Sequence, residues 1–242
     1  MIKLHSIETF WAHEWPGLRI VFFTQWCLMK CLYCHNPDTI KMDGWTEYSP
    51  EELLEKAYKS KPYFWSKWWV TMSGWECLLQ AKGLIPFFKL LKEHWFHTCL
   101  DTNGFILNDD VKELLEYTDL VLLDIKHFYE DEHKKLTWVS NTPIFSFAKY
   151  LDEIQKTFWI RHVLVPNFTD NEKHLEDLWA YFKNFKTLER LEILPYHTLW
   201  VHKWRELGMK YELEDTIPPS VWELLKAKEI LEKNIKNVFI RR

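Results

Sequence analysis

Glycine is the residue that this chain most clearly lacks. Only 6 of the 242 residues are glycine, although about 7% is usual in globular proteins. Tryptophan, with 15 residues, is more frequent. Glycine serves where φ is positive or where a backbone must approach a ligand closely. The shortage therefore bears on whether tight turns and ligand-binding loops can form in this chain.

Long apolar runs and an excess of basic charge are absent as well. No run approaches the roughly 18 apolar residues of a membrane span, and residues 1–5 lack the apolar core of a signal peptide. The net charge of −4 argues against a nucleic-acid binder. Five cysteines, three of them clustered, suit a reducing compartment better than a disulfide framework. We therefore expect a cytoplasmic protein that binds neither membranes nor nucleic acid.

Strands and helices alternate along the chain. The predicted strands, after a short first strand within residues 1–17, are 18–24, 69–72, 96–100, 119–125, 158–165, 188–194 and 238–240. The predicted helices are 49–60, 84–94, 109–117, 142–154, 170–185 and 218–234. About six β-loop-α units imply parallel strands joined by crossover helices. Six units are fewer than the eight of a closed barrel. The predicted fold is therefore α/β, an open, partial (β/α)6 barrel formed by residues 1–242 as one domain.

The strongest motif follows the strand 18–24. Cys27, Cys31 and Cys34 lie at positions i, i+4 and i+7, and thiolates are the usual ligands of iron–sulfur clusters. Three thiolates leave one iron of a [4Fe–4S] cluster without a protein ligand, so a substrate can bind there. A zinc knuckle and three unrelated buried thiols are the alternatives. Structural zinc prefers four ligands in paired spacings, and His35 directly abuts Cys34, which makes it a poor fourth ligand.

Polar residues also stand at the ends of successive predicted strands. In open parallel sheets ligands bind at the carboxyl ends of the strands, and the candidates there are Glu76, Asp101, Asp124, Lys126, Arg161 and His197. Each has a simpler interpretation. Asp101 is a turn former, Asp124 and Lys126 form a structural pair, Arg161 belongs to a buried ion pair, and His197 is a loop histidine. Their common position favours one site.

Several segments are specific enough to indicate a family. They are residues 25–36, 97–104, 122–126, 147–151, 159–161 and 194–204. These segments resemble the pyruvate formate-lyase-activating enzymes, which are glycyl-radical activases of the radical S-adenosylmethionine superfamily, and the C-x3-C-x2-C spacing resembles the superfamily signature. The likeness covers nearly the whole chain. Larger relatives carry an extra cysteine-rich insert. Here only Cys77 and Cys99 remain outside the motif, so one cluster is expected.

The resemblance implies the site residues. Cys27, Cys31 and Cys34, on the loop 25–37, would hold a [4Fe–4S] cluster and, with Lys126, form the catalytic set. The residues implied to bind S-adenosylmethionine are Tyr33, Cys34, His35, Trp75, Glu76, Asp124, Ile125, Lys126, Arg161 and His197. In that set the adenine lies at Tyr33 and His35, and the amino group binds the backbone of residues 73–76. The residues that match a monovalent-cation set of the family are Asp101, Thr102 and Asp124.

The resemblance also implies an activity. The enzyme would be a monomeric oxidoreductase that cleaves S-adenosylmethionine reductively to a 5′-deoxyadenosyl radical. That radical would remove hydrogen from a backbone glycine of pyruvate formate-lyase, with reduced flavodoxin or ferredoxin as electron donor. Two alternatives stay open: another radical S-adenosylmethionine modification enzyme, and a non-catalytic iron–sulfur or zinc protein of the same fold.

Tryptophan departs from the family pattern at six glycine positions: Trp15, Trp26, Trp68, Trp69, Trp75 and Trp200. Backbone strain of this kind costs about 1–3 kcal/mol per site. At Trp75, the second glycine of the family's S-G-G-E segment, the indole would fill space meant for S-adenosylmethionine. We therefore expect impaired cofactor binding that Trp75→Gly relieves. The alternative is a tryptophan-rich homologue whose loops have repacked.

Overall fold

The computed structural model describes residues 1–11, 18–40, 44–63, 69–74, 76–233, 235 and 237–241. Its strands are β1 (Ile2–Trp11), β2 (Arg19–Thr24), β3 (Thr46–Tyr48), β4 (Trp69–Gly74), β5 (His97–Thr102), β6 (Leu120–Asp124), β7 (Phe158–Leu164), β8 (Leu188–Pro195) and β9 (Val238–Ile240). Its α-helices are α1 (Pro50–Ser60), α2 (Ala81–Glu93), α3 (Asp109–Glu116), α4 (Glu130–Thr137), α5 (Thr142–Glu153), α6 (Glu172–Phe182), α7 (Val201–Glu206) and α8 (Val221–Glu232).

The chain divides into two compact units. The first comprises Met1–Cys27 and Thr39–Leu122, and the second comprises Leu28–Asp38 and Leu123–Arg242. The division falls inside the cysteine motif and inside β6. The expectation of a single domain over residues 1–242 stays a prediction.

In the first unit the hydrogen-bonded strands follow the order β3, β1, β2, β4, β5 and β6. Strands β2, β4 and β5 pair in parallel, as the alternation of strands and helices predicts. Strand β1 is antiparallel to both β2 and β3, which makes the sheet mixed. The short connection from β1 to β2 permits only antiparallel pairing, because a parallel crossover needs a dozen or more residues.

In the second unit β7, β8 and β9 pair in parallel. Every residue of β7 is buried, as in a parallel strand covered on both faces. A core cluster of this unit contains Tyr33, Leu136, Val163, Val165, Tyr196, Trp204, Tyr211 and Leu213. The described strands do not close into a barrel, and the expected open α/β architecture is confirmed.

Capping residues account for several helix starts. At α1 the Ser49 hydroxyl accepts a hydrogen bond from the Glu52 backbone N–H, and the Glu52 carboxylate accepts one from the Ser49 backbone N–H. With Pro50 in the first turn, this capping box begins the helix where the sequence predicts it. At α6 the cap is Asn171, whose side chain accepts from His174 N–H, so the prediction of Asp170 was wrong.

Among the described strands and α-helices, β3, α4 and α7 were not predicted, and α2 begins at Ala81 rather than Leu84. Helix α4 has little apolar periodicity, so a pattern search passes over it. Its signal is charge, with acids at 130–132 in the first turn and lysines at 134 and 135 in the last. In the described parts of the chain, no helix has both the length and the apolarity that a membrane crossing requires.

Candidate active site

The cysteine loop of the second unit is fixed by helix α4. The backbone N–H groups of Lys30 and Leu32 donate to the carbonyls of Thr137 and Leu136, each at 3.0 Å. These carbonyls belong to the last turn of α4, where a helix has no internal partners for them. The loop therefore satisfies the helix end, and the helix end fixes the path of the loop.

The segment around α7 holds the same loop from its own side. The Trp204 indole N–H donates to the Cys34 carbonyl at 2.9 Å, and the Lys203 ammonium contacts the Asn36 side-chain oxygen. The His35 and His197 rings stack with centroids 4.2 Å apart. Residues separated by more than 160 positions are thus joined at the loop that carries Cys31 and Cys34.

Charged and aromatic groups surround Cys31. Lys126 Nζ lies 2.7 Å from Asp124 Oδ2 and 5.8 Å from the centroid of the Tyr33 ring. Burial raises the pKa of the Cys31 thiol to about 12, against the opposing effect of Lys126. Burial also disfavours the charged form of Lys126. Asp124, with smaller contributions from Tyr33 and Cys31, outweighs that penalty and holds the pKa of the ammonium well above its usual value.

Three buried polar atoms beside this group have no hydrogen-bond partner among the residues that the structure describes. They are the Tyr33 hydroxyl, His35 Nε2 and His197 Nδ1. Burial and the neighbouring His197 lower the pKa of His35 to about 3, so its imidazole is neutral at pH 7. Buried polar atoms are normally paired. This arrangement fits a polar, uncharged ring such as adenine.

Arg161 lies in a buried cluster of ions around Glu192. Its Nε is 3.5 Å from the Glu192 carboxylate, which also lies 3.6 Å from Arg190 Nη1 and 3.5 Å from Arg241 Nη1. The simpler interpretation, that Arg161 belongs to a buried ion pair, is therefore confirmed. The Glu192 carboxylate is thus shared among three guanidinium groups.

In the first unit, close backbone packing follows β2 and β4. Gly74 has φ of +105° and pairs with Thr24 across the two strands. The Ser73 hydroxyl donates to Asp101 Oδ2 at 2.7 Å, and the Ser73 carbonyl accepts from the Thr24 hydroxyl. This fixes the end of β4 immediately before Trp75, which lies outside the described residues.

Glu76 is fully buried and its carboxylate accepts three hydrogen bonds. The donors are the Leu78 N–H at 3.0 Å, the Thr102 hydroxyl at 2.6 Å and the Asn103 N–H at 3.1 Å. The side chain thus holds the turn after β5 in place. The cofactor role that the resemblance implies for Glu76 and its neighbours stays a prediction.

The predicted metal sets stay predictions. Cys27, Asp101 and Thr102 belong to the first unit, and Asp124 belongs to the second. Among the described residues, no group of three His, Cys, Asp or Glu side chains is close enough to hold a single metal ion. The donor chemistry of the motif does fit an iron–sulfur cluster, since three half-buried thiols follow one strand on one loop and are free of disulfides.

The tryptophans at glycine positions differ from one another. Trp26 has φ of 85°, where a bulky residue is an outlier. Trp69 lies in β4 and Trp200 has φ of −105°, so the expected strain is absent from the backbone at these two. Two further tryptophans, Trp95 and Trp138, have φ of 63° and 70° and were missed. Trp95 directly follows the predicted helix 84–94, where glycine is usual, whereas Trp138 ends α4, which was not predicted. Trp15, Trp68 and Trp75 lie outside the described residues.

Sequence reasoning also missed Asn103, whose side-chain Nδ2 lies 3.8 Å from Cys27 Sγ. The Asp101-Thr102-Asn103-Gly104 turn was the available signal, but it was interpreted for Asp101 and Thr102 only.

Comparisons with known proteins show the superfamily and the family of this chain. A model of the radical SAM superfamily matches residues 21–178, which defines the class of the protein. Two solved structures share the fold. A domain of pyruvate-formate lyase-activating enzyme from Bacteroides vulgatus has a TM-score of 0.60 at 22% identity, over 71% of this chain and 97% of that chain. SuiB from Streptococcus suis, bound to S-adenosylmethionine, has a TM-score of 0.68 at 16% identity, over 91% and 48%.

A curated relative is closer in sequence. The pyruvate formate-lyase-activating enzyme of Staphylococcus aureus (strain USA300) is 46% identical over 225 residues, which is 90% of each chain. The chain therefore belongs to the family of pyruvate formate-lyase-activating enzymes within the radical SAM superfamily. Members of this superfamily bind a [4Fe–4S] cluster and S-adenosylmethionine, as the cysteine motif indicates.

Proposed function

We propose that this chain activates pyruvate formate-lyase by generating a radical on one backbone glycine of that enzyme. The observation that carries the proposal is the 46% identity to an enzyme of that name over 90% of both chains. The unpartnered atoms of Tyr33, His35 and His197 beside the cysteine loop support it, because they offer a place for an adenosyl group.

Cys27, Cys31 and Cys34 would hold the cluster. When bound, the cluster and S-adenosylmethionine supply reductive carbon–sulfur cleavage and the 5′-deoxyadenosyl radical that removes hydrogen from the glycine. The protein binds and orients these groups and excludes water. Positioning matters because a misplaced radical would attack the nearest wrong C–H bond.

In this proposal, different side chains bind different parts of S-adenosylmethionine. Tyr33, His35 and His197 bind the adenosyl group through neutral rings. Lys126 stays charged and, with Asp124, binds the ribose and the methionine carboxylate. Arg161, which also pairs with Glu192, would help to neutralise that carboxylate. Asp101, Thr102 and Asp124 would hold a monovalent cation, although the Thr102 hydroxyl already donates to Glu76.

The remaining partners follow from the same proposal. One electron comes from reduced flavodoxin or ferredoxin, and the chain works as a monomer. Thiolate ligands of an iron–sulfur cluster must stay reduced, which supports a cytoplasmic location.

The test is anaerobic reconstitution with iron and sulfide. With dithionite and S-adenosylmethionine we expect 5′-deoxyadenosine, and with added lyase a glycyl radical detected by electron paramagnetic resonance. Cys31→Ser should abolish both products. Cys99→Ser changes a buried thiol outside the motif and should keep both.

The outcomes separate the alternatives. Formation of 5′-deoxyadenosine without a radical on the lyase would indicate another radical S-adenosylmethionine reaction. A brown protein that leaves S-adenosylmethionine intact would indicate a non-catalytic iron–sulfur protein. A colourless zinc protein would contradict every radical mechanism.

A further inference from the structure

We propose that Asn103 is a positioning residue that sets the reduction potential of the cluster through Cys27. Its side-chain amide donates a hydrogen bond to Cys27 Sγ, with Nδ2 and Sγ 3.8 Å apart. Both residues lie in the first unit. The inference rests on the proposed function, because it needs the cluster that Cys27 would bind.

The orientation of the amide is fixed by its other end. Asn103 Oδ1 accepts a hydrogen bond from the Phe105 backbone N–H at 3.0 Å. Exchanging the oxygen and nitrogen would place an NH2 group against that N–H, so the network allows one assignment. The NH2 group therefore faces the sulfur. Asn103 is only 4% exposed, which limits competition from water.

The backbone of Asn103 is held as firmly as its side chain. The Asn103 N–H donates to Glu76 Oε2, while Glu76 Oε1 accepts from the Thr102 hydroxyl. That hydroxyl in turn accepts from the Gly104 N–H at 2.9 Å. A buried carboxylate thus clamps the turn, and the low local polarity strengthens each bond. The side-chain amide therefore donates to Cys27 from a turn whose backbone is fixed.

A donor at a cluster sulfur has a predictable electrical effect. One-electron reduction adds negative charge to the cluster and its thiolates, and a hydrogen bond to a ligand sulfur stabilises that charge. Hydrogen bonding to the sulfurs is one of the factors that set cluster potentials. Asn103 therefore raises the potential and makes the cluster easier to reduce.

Asn103→Ser removes the donor and preserves the turn. A serine hydroxyl can still accept from the Phe105 N–H, as serine does in similar turns, but it is too short to reach Cys27. The hydrogen bond is stronger to the more negative, reduced cluster than to the oxidised one. We therefore expect the ratio of reduced to oxidised cluster at fixed potential to fall about tenfold, or about 59 mV for one electron.

The matched control is Asn108→Ser. Asn108 caps α3 through its side chain, which accepts from the Val111 N–H at 2.9 Å, and serine is also a good cap. The measurement is a potentiometric titration of the reconstituted holoenzyme, followed by the electron paramagnetic resonance of the reduced cluster, with iron content determined for each variant. The control should keep the wild-type potential.

An unchanged potential in Asn103→Ser, with full iron content, would overturn the inference. Should that variant fail to take up iron, Asn103→Asp keeps the shape and the Phe105 contact while replacing the donor by an acceptor, and its potential should be lower than that of the wild type. Loss of iron in both variants would overturn the proposal in favour of a purely structural role. A wild-type protein without a cluster signal would instead contradict the proposed function.

Discussion

Gly74 and Thr24 pack so closely that Gly74 has no room for a side chain. A Cβ on Gly74 would lie 2.4 Å from the Thr24 backbone nitrogen and 2.5 Å from its carbonyl oxygen, and the φ of Gly74 is +105°. The pair fixes the spacing of β2 and β4 at the ends from which the cysteine loop and Trp75 continue.

Gly74→Ala should therefore destabilise the protein. The clash is with backbone, which cannot rotate away, so we expect a loss of about 2–4 kcal/mol from overpacking and the unfavourable φ together. Gly83→Ala is the matched control. Gly83 lies within α2, and its Cβ would meet the nearest atoms at 3.5 Å and 3.7 Å. Alanine there should stabilise by about 0.5–1 kcal/mol. Urea unfolding measures both, and equal effects would contradict the argument.

Trp95→Gly should stabilise the protein. Trp95 is 86% exposed, follows α2 and holds φ of 63°, so its side chain contributes little packing while its backbone is strained. A left-handed conformation costs a residue with a Cβ about 1–2 kcal/mol, which glycine does not pay. Trp222→Gly is the control, since Trp222 is 81% exposed but lies within α8. There glycine should destabilise by up to about 1 kcal/mol. Thermal unfolding should show shifts of opposite sign.

Lys126→Met should weaken S-adenosylmethionine binding. It removes a buried ammonium whose Nζ lies 2.7 Å from Asp124 Oδ2. The hydrogen bond that this ammonium would donate to the methionine carboxylate contributes about 1.5–3 kcal/mol, which is at least tenfold in affinity. The control is Lys134→Met, which breaks the exposed Lys134–Glu130 pair of 2.8 Å. Calorimetry on the reconstituted protein gives both dissociation constants. Wild-type affinity in Lys126→Met would exclude this residue from the binding set.

Acid should destabilise the second unit through three buried imidazoles. The His174 ring stacks on His127 at 3.9 Å and lies 5.2 Å from His162. Burial lowers the pKa of all three, in His127 to about 4. The unfolded chain therefore binds more protons than the folded chain below about pH 6.5. The stabilising contribution is full above that pH and is lost as the pH falls towards 4.

The quantity to measure is the slope of the free energy of unfolding against pH. Each such imidazole contributes about 1.4 kcal/mol per pH unit within the window. His127→Phe keeps the stacked ring and removes one titrating group, so the free energy of unfolding should depend less steeply on pH between 6.5 and 4. Parallel urea titrations at several pH values would reveal an unchanged slope, which would refute this assignment.

The sequence predicted the fold where local chemistry is strong. The capping box at Ser49 and the nearly continuous apolar run of β6 each determine structure within a few residues. The same reasoning failed at β3 and α4, because a three-residue edge strand and a charged helix carry almost no hydrophobic period. The antiparallel direction of β1 was overlooked, although the connection to β2 is too short for a parallel crossover.

The sequence supplied candidate site residues, but it did not predict the contacts that join some of them. The stacking of His35 on His197 and the convergence of three arginines on Glu192 join segments far apart in sequence, so no local pattern predicts them. The amide of Asn103 was overlooked because an asparagine beside a glycine is most often a turn former. Only the structure shows that Asn103 Oδ1 accepts a hydrogen bond from the Phe105 N–H, which turns the NH2 group towards Cys27.

The hydrogen bonds from the cysteine loop to the last carbonyls of α4 make the conformation of the loop depend on the helix. A designer who transplanted the three-cysteine segment alone would lose the hydrogen bonds to α4 that fix its backbone. Transplanting the helix Glu130–Thr137 together with the segment would retain the carbonyl groups that shape the loop.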